Sequence, residues 1–167
     1  MKTNRPKIEV PLELVDIILD LISLTLYILM LGYIILNYSQ LPETIPTHFN
    51  ASGEADGFGN KSTIWLLPAL GIAIGIGLIL INKMPHLHNY MVNITEDNAL
   101  KNYRFSTRIV RVINFFLAVL FLVIAYMMIE NGKGNVIGLG SWFAPIVIGF
   151  SILLPIAIYM YNRKINK

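Results

Sequence analysis

The sequence predicts an all-α membrane protein with four transmembrane helices, both chain ends in the cytoplasm and a third helix that extends out of the bilayer. Three observations carry this expectation. Only 14% of the 167 residues are charged while 55% are hydrophobic, a balance outside that of soluble globules. Four apolar runs, at residues 17–36, 64–81, 112–129 and 142–159, approach the roughly 20 helical residues that cross a hydrocarbon core of about 30 Å. The 13 lysines and arginines are unevenly placed: all but Lys61 and Lys133 lie before the first run, between the second and third, or after the fourth. Basic loops are retained in the cytoplasm during insertion, so residues 37–63 form an outer loop and 82–111 a cytoplasmic one. The whole chain, 1–167, reads as a single polytopic domain.

The first run is too long for the apolar region of a signal peptide, and Asn37-Tyr38-Ser39-Gln40 offers no small-residue cleavage site, so it is expected to be a retained span. The outer loop opens with Leu41-Pro42 and Ile45-Pro46, which stop the first helix and impose extended or turn backbone. Asp56-Gly57 and Gly59-Asn60 are turn chemistry, and Ser62 or Thr63 is placed to cap the second helix. In that helix Ala69, Gly71, Ala73, Gly75 and Gly77 suggest a close contact face for another helix; a pore on these glycines would lack any acidic ring.

The third helix can start at Asn93 or Thr95, with Glu96 three after Asn93 in capping-box spacing. No proline follows from Ile94 to Glu130, which predicts one helix of about 35 residues and about 50 Å at 1.5 Å per residue. Trp65 and Trp142 fall at the outer interface, and Tyr159 and Tyr161 at the inner one. A faint echo links Gly57-Phe58-Gly59 before Trp65 with Gly138-Leu139-Gly140 before Trp142.

Two charged stripes share the cytoplasmic side. Lys101, Arg104, Arg108 and Arg111 recur at spacings of one helical face, as do Glu13, Asp16 and Asp20, with Glu9 in register if that helix begins before Pro11. Either the acids complement the helix dipole while the arginines meet lipid phosphates, or the stripes face each other. Pairing is favoured for Asp20, with Arg111, because an acid so deep in a span is expensive alone.

The outer loop gathers His48, Asn50, Gly53, Asp56, Gly59 and Lys61. His48, Asn50, Glu54 and Asp56 are metal-ligand types, but a calcium-loop register from Ser52 places Thr63 where the bidentate glutamate belongs. His48 with Asp56 could serve as a base and its orienter; Ser52 and Ser62 lack support as nucleophiles. The plainer alternative is a folded cap, with His48 and Asp56 bonded to the loop and Lys61 to an acid or a lipid phosphate. The sequence calls for no cofactor or metal, has no cysteine, and shows no aromatic-interleaved basic run suited to nucleic acid.

The run Leu41-Pro42-x-x-Ile45-Pro46-x-His48-Phe49-Asn50-x-x-Gly53-x-x-Asp56-x-x-Gly59-x-Lys61 resembles a bacterial domain of unknown function that forms the N-terminal part of SdpI-type toxin-immunity membrane proteins. Pro85, Asn89-Tyr90, Thr95-Glu96, Asn98, Tyr103 and Arg108 resemble the cytoplasmic segment of its stand-alone relatives, so the likeness covers roughly residues 20 to 130. It implies a bacterial inner-membrane protein and, for the immunity proteins, protection against a membrane-active peptide and sequestration of a repressor. The Arg-Thr-Pro-Trp-like motif of the second immunity module has no counterpart after Glu130.

The expectation is therefore a non-enzymatic sensor, immunity or envelope component whose outer loop is its recognition surface. Its partners are the lipid bilayer and either a membrane-active peptide or a cytoplasmic regulator, with oligomerisation left open. The alternative is a membrane-bound metal-dependent enzyme centred on His48 and Asp56, followed by a transporter, which four spans could build only as an oligomer.

Overall fold

The computed structural model describes residues 5–136 and 138–167. Lys2, one of the basic residues used above for orientation, lies outside them. The chain is mostly helical: α1 spans Leu14–Asn37, α2 Leu66–Asn82, α3 Glu96–Gly132 and α4 Phe143–Ile165. All four are long and apolar enough to cross a membrane. The all-α expectation needs one correction, because the first long loop folds into an antiparallel hairpin of β1, Thr44–Phe49, and β2, Ala55–Asn60.

Local chemistry sets each boundary. Helix α1 starts at Leu14, where the Glu13 backbone N–H donates to Asp16 Oδ2 at 3.0 Å. It therefore begins after Pro11 and leaves Glu9 off the acidic stripe. A single 3-10 stretch, Lys61–Trp65, leads into α2 and is capped by Asn60, whose Oδ1 accepts from the Ser62 backbone at 2.9 Å. Asn60 thus takes the role expected of Ser62 or Thr63. The cap of α3 is Thr95, and the side chain that reaches back to its N–H at 3.0 Å is that of Asn98, not Glu96.

With 37 residues, α3 is about 55 Å long and serves as the axis of the fold. It accounts for much of the segment read as the loop 82–111. Its inner face packs on α1 through Ala118, Ala125, Met128 and Ile129 against Tyr27, Met30 and Ile34. On α2 only Gly71 and Gly75 are buried of the five small residues; a Cβ at Gly75 would lie 2.9 Å from the Tyr27 ring, whereas one at Gly77 would meet nothing. Close approach to Tyr27 therefore explains two glycines and leaves Ala69, Ala73 and Gly77 off the contact.

Helix α4 is attached more loosely and runs on to Ile165, beyond the span expected to end at 159. Phe150 stacks on Phe116 of α3 with ring centroids 3.6 Å apart, and Asn166 and Asn102 exchange two hydrogen bonds of 3.0 Å. Most of its apolar residues, Ile148, Ile152, Leu153 and Ile156 among them, remain exposed, as a helix in hydrocarbon can tolerate.

Candidate functional site

The hairpin is built around the residues singled out in the loop. Its apolar side chains, Leu41 and Ile45, are buried together with Ile64 over the end of the α1–α3 pair. A Cβ on Gly132 of α3 would lie 3.0 Å from Ile45 Cγ2 and 3.2 Å from Leu41 Cδ2, so the hairpin sits directly on that helix end. Asn50 makes the turn: its Oδ1 accepts from the backbone of Ser52 and Glu54 at 2.9 and 3.0 Å, and its amide donates to Glu54 Oε2 at 3.0 Å. This is the Asx geometry that lets asparagine replace a backbone turn.

Gly53 has φ +83°, a left-handed conformation that favours glycine, and a Cβ there would lie 2.7 Å from the Gly140 carbonyl oxygen. The contact is reciprocal, since the Leu139 N–H donates to the Gly53 carbonyl at 2.6 Å and a Cβ on Gly138 would come within 2.2 Å of the same oxygen. The tip of the hairpin is thus clamped by the segment before α4. Asn131 holds that segment in turn, donating to the Gly138 carbonyl at 3.0 Å and accepting from its N–H at 2.5 Å. The two Gly-x-Gly echoes are not equivalent: Gly138 and Gly140 have positive φ, while Gly57 and Gly59 are in β2 without it.

On the outward face His48 Nδ1 and Asp56 Oδ1 lie 2.5 Å apart, with side chains 71% and 45% exposed. A bulge around His48 and the missing side chain of Gly57 bring them together; a Cβ on Gly57 would stand 2.8 Å from that of His48. Gly59 faces Thr47. Lys61 pairs with Glu43 at 2.9 Å and lies over the Tyr38 ring, 5.4 Å from its centroid. Among the described residues no three histidine, aspartate or glutamate side chains gather to hold a metal.

At the opposite end the charged stripes meet. Arg104 reaches Glu13 at 3.1 Å; Arg108 reaches Glu13 at 2.7 Å and Asp16 at 3.0 Å; Arg111 reaches Asp20 at 3.0 Å. The stripe of α3 is thus occupied by α1, with Lys101 donating instead to the Ile165 carbonyl at 2.7 Å. Arg5 donates to the carbonyls of His86 and His88 and lies over the Tyr90 ring, whose phenol is pushed up to about 12, mainly by burial, and so remains a neutral donor to the Pro85 carbonyl.

Several pairs escaped sequence reasoning. Tyr27 donates to Asn114 at 3.0 Å within the apolar core, Tyr33 to Glu130 at 2.5 Å, and Lys133 to Asn37. The available signal was the presence of polar residues at matching depths in two long apolar runs, since such residues in lipid need partners.

Comparison with known proteins gives a partial likeness. Residues 25–72, from the middle of α1 to the start of α2, match a family described as a domain of unknown function (DUF1648). An uncharacterized protein of Archaeoglobus fulgidus is 47% identical over 79 residues, a stretch covering 42% of this chain and 42% of the relative. The chain thus spans less than half of that relative. No solved structure matches.

Proposed function

We propose that this chain is a non-enzymatic, multi-pass protein of the cytoplasmic membrane that presents the β1–β2 hairpin outside the cell as a recognition surface for a membrane-active peptide, in the manner of SdpI-type immunity proteins. The observation carrying this is the two-sidedness of the hairpin. Leu41 and Ile45 fix it on α1 and α3 and its tip is clamped by Gly138 and Gly140, while His48, Asp56, Asn50 and Glu54, together with the exposed Phe58, are left free. A rigid face that is mostly polar with one exposed aromatic ring loses little entropy on binding, which suits recognition. His48, Asp56 and Lys61 would contact the peptide; Asn50, Gly53 and Gly59 shape the loop. The orientation is supported by the lysines and arginines, which favour the cytoplasm for the α2–α3 connection, the segment before α1 and the end of α4.

Because α1 occupies the α3 arginines, a cytoplasmic regulator or lipid surface would meet other cations, such as Arg163, Lys164 and Lys167. The experiment is expression in a sensitive bacterium challenged with a membrane-permeabilising peptide. The wild-type chain is expected to raise survival, and His48→Ala to abolish that gain at unchanged abundance and melting temperature. Equal protection by the variant, or none by the wild type, would overturn the assignment. Cysteines at Ala51 and Asp97 test orientation independently: an impermeant thiol reagent on intact cells should label the first and spare the second.

A further inference from the structure

Two cavities meet at Asp20 and Ile79, which line both. One, of about 480 Å³, opens at the basic end among α1, α2 and the segments preceding α1 and following α2, with Glu9, Asp20, Asn82, Lys83 and Arg111 on its walls. The other, of about 160 Å³, runs between α1 and α2 and is walled mainly by apolar side chains such as Leu24, Ile28, Ile72 and Ile76. A chamber with charged side chains among apolar ones, continuing into an apolar groove, has the outline of an amphiphile.

The chamber contains unmet hydrogen-bonding capacity. The Arg111 side chain is 10% exposed and uses Nε on Asp20; among the described residues its two terminal nitrogens make no hydrogen bond to the protein. Asn82 donates through Nδ2 to the Thr107 carbonyl at 3.2 Å, but its buried Oδ1 has no partner. That buried oxygen faces no open space, so the accessible groups are the Arg111 and Lys83 donors for an anion and the Glu9 and Asp20 carboxylates for a cation. Its charges balance, with Glu9 and Asp20 against Lys83 and Arg111. A purely anionic headgroup would leave the carboxylates facing like charge, whereas a zwitterion meets all four groups.

We propose that the joined cavities bind one phospholipid with a phosphoethanolamine headgroup. Its phosphate lies between Arg111 and Lys83, its ammonium meets Asp20 and Glu9, and one acyl chain follows the groove between α1 and α2. This rests on α1 and α2 lying in a bilayer but not on the hairpin's role, so failure of the peptide-protection assay leaves it standing.

The test is native mass spectrometry of the full chain in detergent with added dioleoyl phosphatidylethanolamine, phosphatidylcholine or phosphatidylglycerol. One bound ethanolamine lipid is expected, favoured about tenfold over the choline lipid, whose headgroup has no N–H to donate, and over the glycerol lipid, which has no cation. Lys83→Gln should lower occupancy. Ile76→Trp, at a half-exposed position, should block the groove and remove the lipid without lowering the melting temperature. Equal occupancy by the three lipids, preference for the glycerol or choline lipid, or retention of the lipid in Ile76→Trp would overturn the proposal.

Discussion

The two ends of the α1–α3 pair are held by different physics. At the basic end, three arginines of α3 meet Glu13, Asp16 and Asp20 at the start of α1 across a half-buried seam in which Asp16 and Arg111 are almost fully enclosed. At the hairpin end the fixing combines apolar burial of Leu41 and Ile45, hydrogen bonds from Leu139 to the Gly53 carbonyl and between Asn131 and Gly138, and glycine backbones at 53, 138 and 140 that lie too close together for any side chain. Helices that must align through lipid can use complementary charge where water is near. The loop joining α1 to α2 holds its shape through backbone room and turn geometry instead.

The sharpest way to break the contrast is to remove a charge. Arg108→Gln leaves the buried Asp16 without its cation while Glu13 keeps Arg104, and the expected loss is about 3–5 kcal/mol, measured by thermal melting in detergent. An unchanged midpoint would show that the seam is hydrated and weak. Next in size, Asp20→Asn and Arg111→Gln should each destabilise, while the double variant recovers much of the loss, giving a coupling of about 1–3 kcal/mol. Additivity within about 0.5 kcal/mol would mean that Arg111 does not depend on Asp20. Smaller still, Gly138→Ala adds a Cβ at positive φ against the Gly53 carbonyl and should cost about 1–2 kcal/mol, with protease cleavage near the hairpin tip rising in parallel. Faster cleavage in Arg108→Gln at the same place would erase the distinction between the ends.

The sequence made the helices legible because apolar run length and the absence of proline are local properties. The extended α3 follows from the uninterrupted stretch after Ile94; spacing put each charged stripe on one face, while for Glu13 and Asp16 it left open whether that face met the arginines, as it does. The hairpin was not legible as strands, because β2 reads Ala-Asp-Gly-Phe-Gly-Asn, with two glycines and little β-propensity. Its pairing comes from tertiary support, with Ile45 buried on α3 and Asn50 setting the turn. The clamp on Gly53 joins residues more than eighty positions apart, beyond the reach of any local pattern. Whether Glu9 joined the acidic stripe was left conditional on where α1 begins, because that start depends on the Glu13–Asp16 cap, a contact that periodicity does not reveal.

The length of α3 has a mechanical consequence. One uninterrupted helix touches the hairpin at Gly132 and carries the ion pairs from Arg111 back to Arg104, so the two ends belong to a single rod. From Gly132 to Arg104 that rod measures about 42 Å, and pivoting it by about 5° at the hairpin sweeps the far end through roughly 4 Å. That displacement exceeds the reach of the Arg104–Glu13 contact at 3.1 Å. A small rocking of the hairpin against α1 is therefore geometrically equivalent to unfastening a charge pair at the opposite end of α3.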